Sequence, residues 1–293
     1  MSRWLTLLLT AGLSATIATT VSADAPTAGE RVVVYTPANW PAALSGDLIV
    51  PDGAPPAGGW PAAVVLHGGA WHKGDRGHSR GMARRLADAG FVALAIDYRL
   101  VPDAIYPAQV LDVQQAIRWL RDNAATLAIN PARIALWGSS AGAHLAALTA
   151  SLSPGDRLFD PQARVQAVVG GGTPTDFRDG GGGNRSLASF LGERWHAGST
   201  VFIEASPIAH ATADDPPVFL FHGDADRTVP VSQATAYRDA LTAAGVANVL
   251  VQIAGGGHKL GPDGKPAIEQ GIAFLQQRLA SSPAAESRSP TAP

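Results

Sequence analysis

A serine flanked by glycines, Gly138-Ser139-Ser140-Ala141-Gly142, is where residue types and spacing in this chain first suggest chemistry. The pattern G-x-S-x-G lies between an apolar run at 134–137 and a small-residue run at 141–150. A strand turning sharply into a helix forces the central side chain outward, and small neighbours let that turn close. The helix N-terminus behind the serine adds positive potential where a tetrahedral intermediate would carry its negative oxygen. Ser139 competes for the role, but only Ser140 has glycine at both second-neighbour positions. Such a serine implies acyl transfer through a covalent intermediate.

A serine hydroxyl is a poor nucleophile near neutral pH and needs a base. Of the eight histidines, His258 fits best, because Gly255-Gly256-Gly257-His258 follows a strand-like run at 249–253. His67 and His144 have structural readings: one opens a glycine loop, the other lies one helical turn beyond Ser140 and is expected to pack. An orienting acid is expected between Ser140 and His258 in sequence. The stretch His222-Gly223-Asp224-Ala225-Asp226-Arg227-Thr228-Val229-Pro230 follows the apolar run 218–221 and offers two aspartates. Asp226 is preferred, with Asp224 read as a turn residue bonded to its own loop. Alternating aspartates also resemble the start of a calcium loop, but the glycine and distal glutamate of such a loop are missing.

His67-Gly68-Gly69-Ala70-Trp71 follows the run 63–66. Glycines there let backbone N–H groups approach a substrate oxygen closely. With the N–H of Ala141, those of Gly69 and Ala70 are expected to form an oxyanion hole. Trp71 and Trp195, with other aromatics of the 170–215 stretch, are the candidate substrate-pocket residues.

These residues need elements to hold them. Runs at 31–36 and 47–50 read as an antiparallel strand pair. Continuous apolar runs at 63–66, 91–96, 134–137, 165–169, 218–221 and 249–253 suit strands buried on both faces of a parallel sheet. Between them Val110, Val113, Ile117 and Leu120 make one helical stripe, and Ile268, Ile272, Leu275 and Leu279 another. Helices ending at Gly90 and Gly245 fit the same rhythm. Strand alternating with helix predicts an α/β fold with a mostly parallel, doubly wound sheet. Residues 170–215 are too long for a plain connection and read as a small cap-like excursion.

The whole chain has 293 residues, 46% hydrophobic, enough for one large domain expected over residues 24–280. A net charge of −2 with scattered arginines gives no basis for nucleic-acid binding. Arg3, an apolar run at 5–17 and the small residues Val21-Ser22-Ala23 read as an export signal over residues 1–23. The run is too short and interrupted for a membrane span, so a secreted or periplasmic protein without a membrane anchor is expected. The chain has no cysteine, so its fold is expected to stand without disulfides. The Ser-, Pro- and Ala-rich stretch 281–293 reads as a disordered tail.

The ordered set His67–Trp71, Asp97-Tyr98-Arg99-Leu100, Tyr106-Pro107-Ala108, Gly138–Gly142, Ala205-Ser206-Pro207 and His222–Pro230 carries a resemblance. The chain resembles α/β-hydrolase esterases related to hormone-sensitive lipase, most of all the carbohydrate-esterase-like branch with feruloyl and acetylxylan esterase-type members. The resemblance spans roughly residues 31 to 280. It implies Ser140 as nucleophile, Asp226 as acid, His258 as base, and Gly69, Ala70 and Ala141 as the oxyanion hole. It further implies small-molecule or carbohydrate-linked ester substrates and no metal or organic cofactor. The chain departs from the lipase-like pattern at Ala70, where a third glycine is usual. Two rival expectations stand beside it: an amidase, arylformamidase or exopeptidase using the same residues, and a binding module that has kept the fold without the chemistry.

Overall fold

The computed structural model describes residues 28–280. The expected export signal and the expected disordered tail lie outside the described residues. The first strands, β1 (Gly29–Val34) and β2 (Ser45–Val50), pair antiparallel, with Gly29 opposite Val50 and Val34 opposite Ser45. The chain then alternates: β3 (Trp60–Leu66), α1 (Gly77–Asp88), β4 (Val92–Ile96), α2 (Ala108–Asp122), the short α3 (Ala124–Leu127), β5 (Ile129–Ser139) and α4 (Ala141–Ser151). After β6 (Ala167–Gly171) come α5 (Arg185–Leu191), α6 (Thr200–Glu204), β7 (Val218–Gly223), α7 (Val231–Ala243), β8 (Asn248–Ile253) and α8 (Lys265–Arg278). The eight strands form one sheet in the order β1-β2-β4-β3-β5-β6-β7-β8. β2 meets β4 antiparallel, and every later neighbour is parallel. This is the mostly parallel sheet with an antiparallel N-terminal pair, flanked by helices, of the α/β-hydrolase fold.

The pleat explains why the strand runs are apolar throughout. Val64, Leu94, Leu136, Val168 and Leu220 point to one face and pack with Val110, Val113 and Ile117 of α2, Leu145 and Leu148 of α4, and Leu241 of α7. Their neighbours Val65, Ala95, Trp137, Val169 and Phe221 point to the other, against Leu86 of α1 and Ile272 and Leu275 of α8. Alternate residues thus feed two cores, and neither face of these central strands meets water. Strand β8, expected to be buried on both faces, instead ends the sheet and leaves Val249 40% exposed, since among the described residues no strand covers its outer side.

Strand β6 lies two residues later than its apolar run suggests. Gly170 and Gly171 read as loop, yet they pair with Gly138 and Ser139 of β5. A Cβ on Gly171 would collide with the Phe221 ring from the next strand, so small residues are required where the sheet narrows beside Ser140. The 170–215 excursion is packed down: Phe177, Leu187, Phe190, Leu191 and Phe202 are all buried. It lies over the C-terminal ends of the strands, where the loops after β3, β5, β7 and β8 also gather. In open parallel sheets that edge is the usual place for a site.

Candidate active site

Ser140 occupies the single residue between β5 and α4, with φ 53° and ψ −122°. That conformation is sterically costly for a residue with a Cβ. The turn is held on both sides: the Ser140 N–H donates to the Gly171 carbonyl at 2.8 Å, and its carbonyl accepts from the His144 N–H at 2.9 Å. The flanking glycines are needed for room. A Cβ on Gly138 would collide with the Gly142 backbone, and one on Gly142 would meet the Leu66 and His67 carbonyls at 2.5 Å. The strand–turn–helix thus projects the Ser140 side chain out of the sheet edge.

The structure brings Ser140, His258 and Asp226 together. His258 Nε2 lies 2.9 Å from Ser140 Oγ, and His258 Nδ1 lies 2.6 Å from Asp226 Oδ2. An ionised carboxylate only accepts, so the imidazole Nδ1–H donates to it and Nε2 is left to accept the serine proton. Asp226 Oδ1 accepts the N–H groups of Thr228 at 2.8 Å and Val229 at 2.9 Å. Burial by itself would raise the Asp226 pKa. The backbone donors and the His258 ring outweigh it and hold the carboxyl below the usual carboxylate range.

Asp224 turns away from this relay. Its Oδ1 accepts the Gly255 N–H at 2.7 Å, so it bonds to the loop carrying His258 and not to its own loop, as its turn-like setting suggests. The Ala225 N–H adds a bond to the Gly256 carbonyl at 3.0 Å, so the acid and base loops are stitched together. The structure also places two residues that sequence reasoning passed over. His222, fully buried behind the acid, has Nε2 2.8 Å from the Val229 carbonyl and 3.4 Å from Asp226 Oδ2. Gly172, at φ +58°, leaves the space beside His258 open, since a Cβ there would stand 3.3 Å from the imidazole. A histidine four residues before the acid is a faint local signal for the first; Gly172 has none.

The loop after β3 approaches Ser140 closely: a Cβ on Gly68 would sit 3.2 Å from the Ser140 Cβ. Among the described residues, no acceptor takes the N–H of Gly69, Ala70 or Ala141. Ala70, Trp71, Ser140 and Ala141 share a pocket of about 480 Å³. Its lining mixes apolar side chains, Phe177, Leu187 and Val229, with polar ones, Asp176, Asn184, Ser232 and Gln233. Gln233 ties this lining to the backbone after β6, its Oε1 accepting the N–H groups of Thr175 and Asp176, both at 2.8 Å.

Trp195 stands elsewhere. It is 47% exposed, donates its indole N–H to the Arg178 carbonyl at 3.1 Å, and lines a neighbouring depression of about 680 Å³ that does not reach Ser140. An exposed tryptophan in a glycine-rich stretch gives no sequence clue to which side of the wall it faces. Trp71, by contrast, is buried at the pocket's edge.

His144 is fully buried against Trp71 and the Ala205 carbonyl, and burial pushes its pKa down to about 4 from 6.5. Such a histidine favours the folded state fully above its unfolded pKa, and this contribution is lost as pH falls from about 6.5 to about 4. His67 and His222 are shifted the same way, also through burial. Unfolding free energy measured by urea titration should therefore drop by roughly 3 kcal/mol between pH 7 and pH 4 from His144 alone. His144→Gln should flatten that part of the profile; an unchanged slope in the variant would refute the assignment.

The BD-FAE family profile matches residues 47–241. Among curated relatives, the probable carboxylic ester hydrolase LipM of Mycobacterium tuberculosis is 35% identical over 193 residues, covering 62% of this chain and 44% of LipM. The chain spans about half the length of the curated relatives it matches. Among solved structures, the thermophilic esterase Est2 of Thermogutta terrifontis superposes with a TM-score of 0.73 at 28% identity, covering 88% of this chain and 95% of that one. T. terrifontis esterase 2 phosphoramylated by tabun superposes with the same TM-score and identity, over 87% and 97% of the two chains.

Proposed function

The chain belongs to the BD-FAE family, and from that premise we propose that it is a serine carboxylic-ester hydrolase working through an acyl-enzyme on Ser140. The observation that carries this reading is the relay from Asp226 through His258 to Ser140, at 2.6 and 2.9 Å, on a strained strand-to-helix turn. The esterase names of the relatives support it.

In the proposed cycle His258 Nε2 takes the Ser140 proton as Oγ attacks the ester carbonyl. The carbonyl oxygen becomes an oxyanion held by the N–H groups of Gly69, Ala70 and Ala141. The tetrahedral intermediate collapses, and His258 gives the proton to the departing alkoxide, releasing the alcohol. Water, deprotonated by His258, then attacks the acyl-serine, and the second collapse returns the proton to Oγ and frees the acid. Asp226 holds the imidazole tautomer and stabilises its cation throughout.

The pocket's mixture of apolar and polar side chains suits an ester that joins an acyl group to a polar alcohol, so small and carbohydrate-linked esters are the proposed substrates. The residues 1–23 pattern supports a place outside the cytoplasm, where such esters reach a secreted or periplasmic enzyme. Parallel assays with p-nitrophenyl acetate, acetyl p-nitroanilide and an aryl formamide test the reaction class. The ester should exceed the other two in kcat/KM by at least about 100-fold, because p-nitrophenolate leaves far more readily than an amide nitrogen. Faster anilide or formamide turnover would move the assignment to an amidase. A panel from acetyl to octanoyl esters, with feruloyl and carbohydrate acetates, then ranks the substrates.

A further inference from the structure

The turn that carries Gly69 and Ala70 runs through three successive residues at positive φ. Gly69 has φ +131°, and a Cβ there would collide with the Lys73 carbonyl. Ala70 and Trp71 follow with φ of 52° and 63°. Left-handed backbone at residues that carry a Cβ persists only where surrounding structure over-determines it. Two in a row, one of them a tryptophan, need an external hold.

The Trp71 side chain supplies that hold. Its ring stacks on Phe190 with centroids 4.4 Å apart and planes 10° from parallel, and it meets Phe177 edge-on at 5.9 Å. Its indole N–H donates to His144 Nδ1 at 3.2 Å. The Trp71 carbonyl accepts the Val101 N–H at 3.0 Å. His144 in turn is placed by α4, one turn beyond Ser140. Its Nε2 lies 2.8 Å from the Ala205 carbonyl, which can only accept, so Nε2 carries the proton and Nδ1 keeps the lone pair that the indole needs. Burial keeps the ring neutral, as that arrangement requires. Both ring nitrogens are thus committed to fixed partners, and neither touches Ser140 or His258.

We propose that His144 is a positioning residue for acyl transfer: through the Trp71 indole it locks the strained 69–71 turn so that its backbone N–H groups stay aimed at the oxyanion. The assignment rests on the serine-esterase reading. It goes beyond packing, because a phenyl ring would fill the same space. Only a ring with an acceptor at δ1 and a donor at ε2 joins the nucleophile helix, the 69–71 turn and the segment at Ala205. The expected signature follows from where the donors act. An oxyanion forms only on the way through the transition state, so misaimed N–H groups lower kcat and leave KM nearly unchanged.

The test is a double-mutant cycle on p-nitrophenyl acetate with Trp71→Phe, His144→Phe and both together. A trifluoromethyl ketone, which forms a tetrahedral adduct with the serine, is measured alongside. Each single change should lower kcat by about 10- to 100-fold, a fraction of the 10²–10³ seen when an oxyanion donor is removed outright. KM should stay within about threefold, and ketone affinity should fall in step with kcat. The double variant should be no slower than the slower single one, since both remove one hydrogen bond. His144→Asn, whose Oδ1 can stand near the Nδ1 position, should recover most of the loss. Single variants within about threefold of wild-type kcat, or losses that multiply in the double variant, would overturn the proposal. If His144→Phe does not fold, Trp71→Phe decides alone, because it keeps the stack on Phe190 and removes the indole N–H. A wild-type protein inactive on every ester would instead overturn the esterase reading, and this assignment with it.

Discussion

Ser140→Ala is expected to lower kcat on an activated ester by roughly 10⁴–10⁶-fold while the protein stays folded. The size follows from the architecture around the side chain. Removing Oγ removes the atom placed 2.9 Å from the His258 Nε2 to receive the acyl group. The oxyanion donors and the pocket remain, and such remnants still give about 10³–10⁴ over water in triad enzymes. Alanine can take the same φ of 53° at a similar steric cost, so the strand-to-helix turn should keep its shape. The thermal transition should accordingly move by no more than a degree or two, consistent with a surface-like change in stability. The measurement is steady-state turnover of p-nitrophenyl acetate together with a melting curve. A folded variant with near-normal turnover would remove Ser140 from the mechanism.

The second large effect separates the two aspartates. Asp226→Asn should lower kcat by roughly 10³–10⁴-fold, because an amide can present an N–H where His258 needs an acceptor and so favours the wrong tautomer. The carboxyl is also held ionised by the N–H groups of Thr228 and Val229, which an amide oxygen satisfies less well. Asp224→Asn keeps an Oδ1 for the Gly255 N–H and should change kcat by less than about threefold. Kinetics of the pair at one pH suffice. The reverse pattern would transfer the acid's role to Asp224.

Much of this arrangement is legible in the sequence where the physics is local. The G-x-S-x-G turn is written in small residues because backbone atoms crowd Gly138 and Gly142, and the central strands β3 to β7 are written as apolar runs because both their faces are covered. Legibility fails where contacts are long-range or a residue type is ambiguous. Gly170 and Gly171 look like loop, but they are the strand positions that let the Phe221 ring in. Asp224 and Asp226 look alike in sequence, and only the path of their loop decides which faces His258. Trp195 and Trp71 are both tryptophans in glycine-rich surroundings, yet one lines the Ser140 pocket and the other a separate depression. Gln233 binds the backbone of Thr175, 58 residues away, a partnership that no local pattern records.

Activation of Ser140 alone for acyl transfer is tested most directly by intact-mass and peptide-map analysis after treatment with diethyl p-nitrophenyl phosphate. One diethylphosphoryl adduct per chain is expected, on Ser140, and it should disappear in Ser140→Ala. An enzyme that hydrolyses esters yet takes no adduct, or takes it on Ser139 or elsewhere, would contradict this assignment.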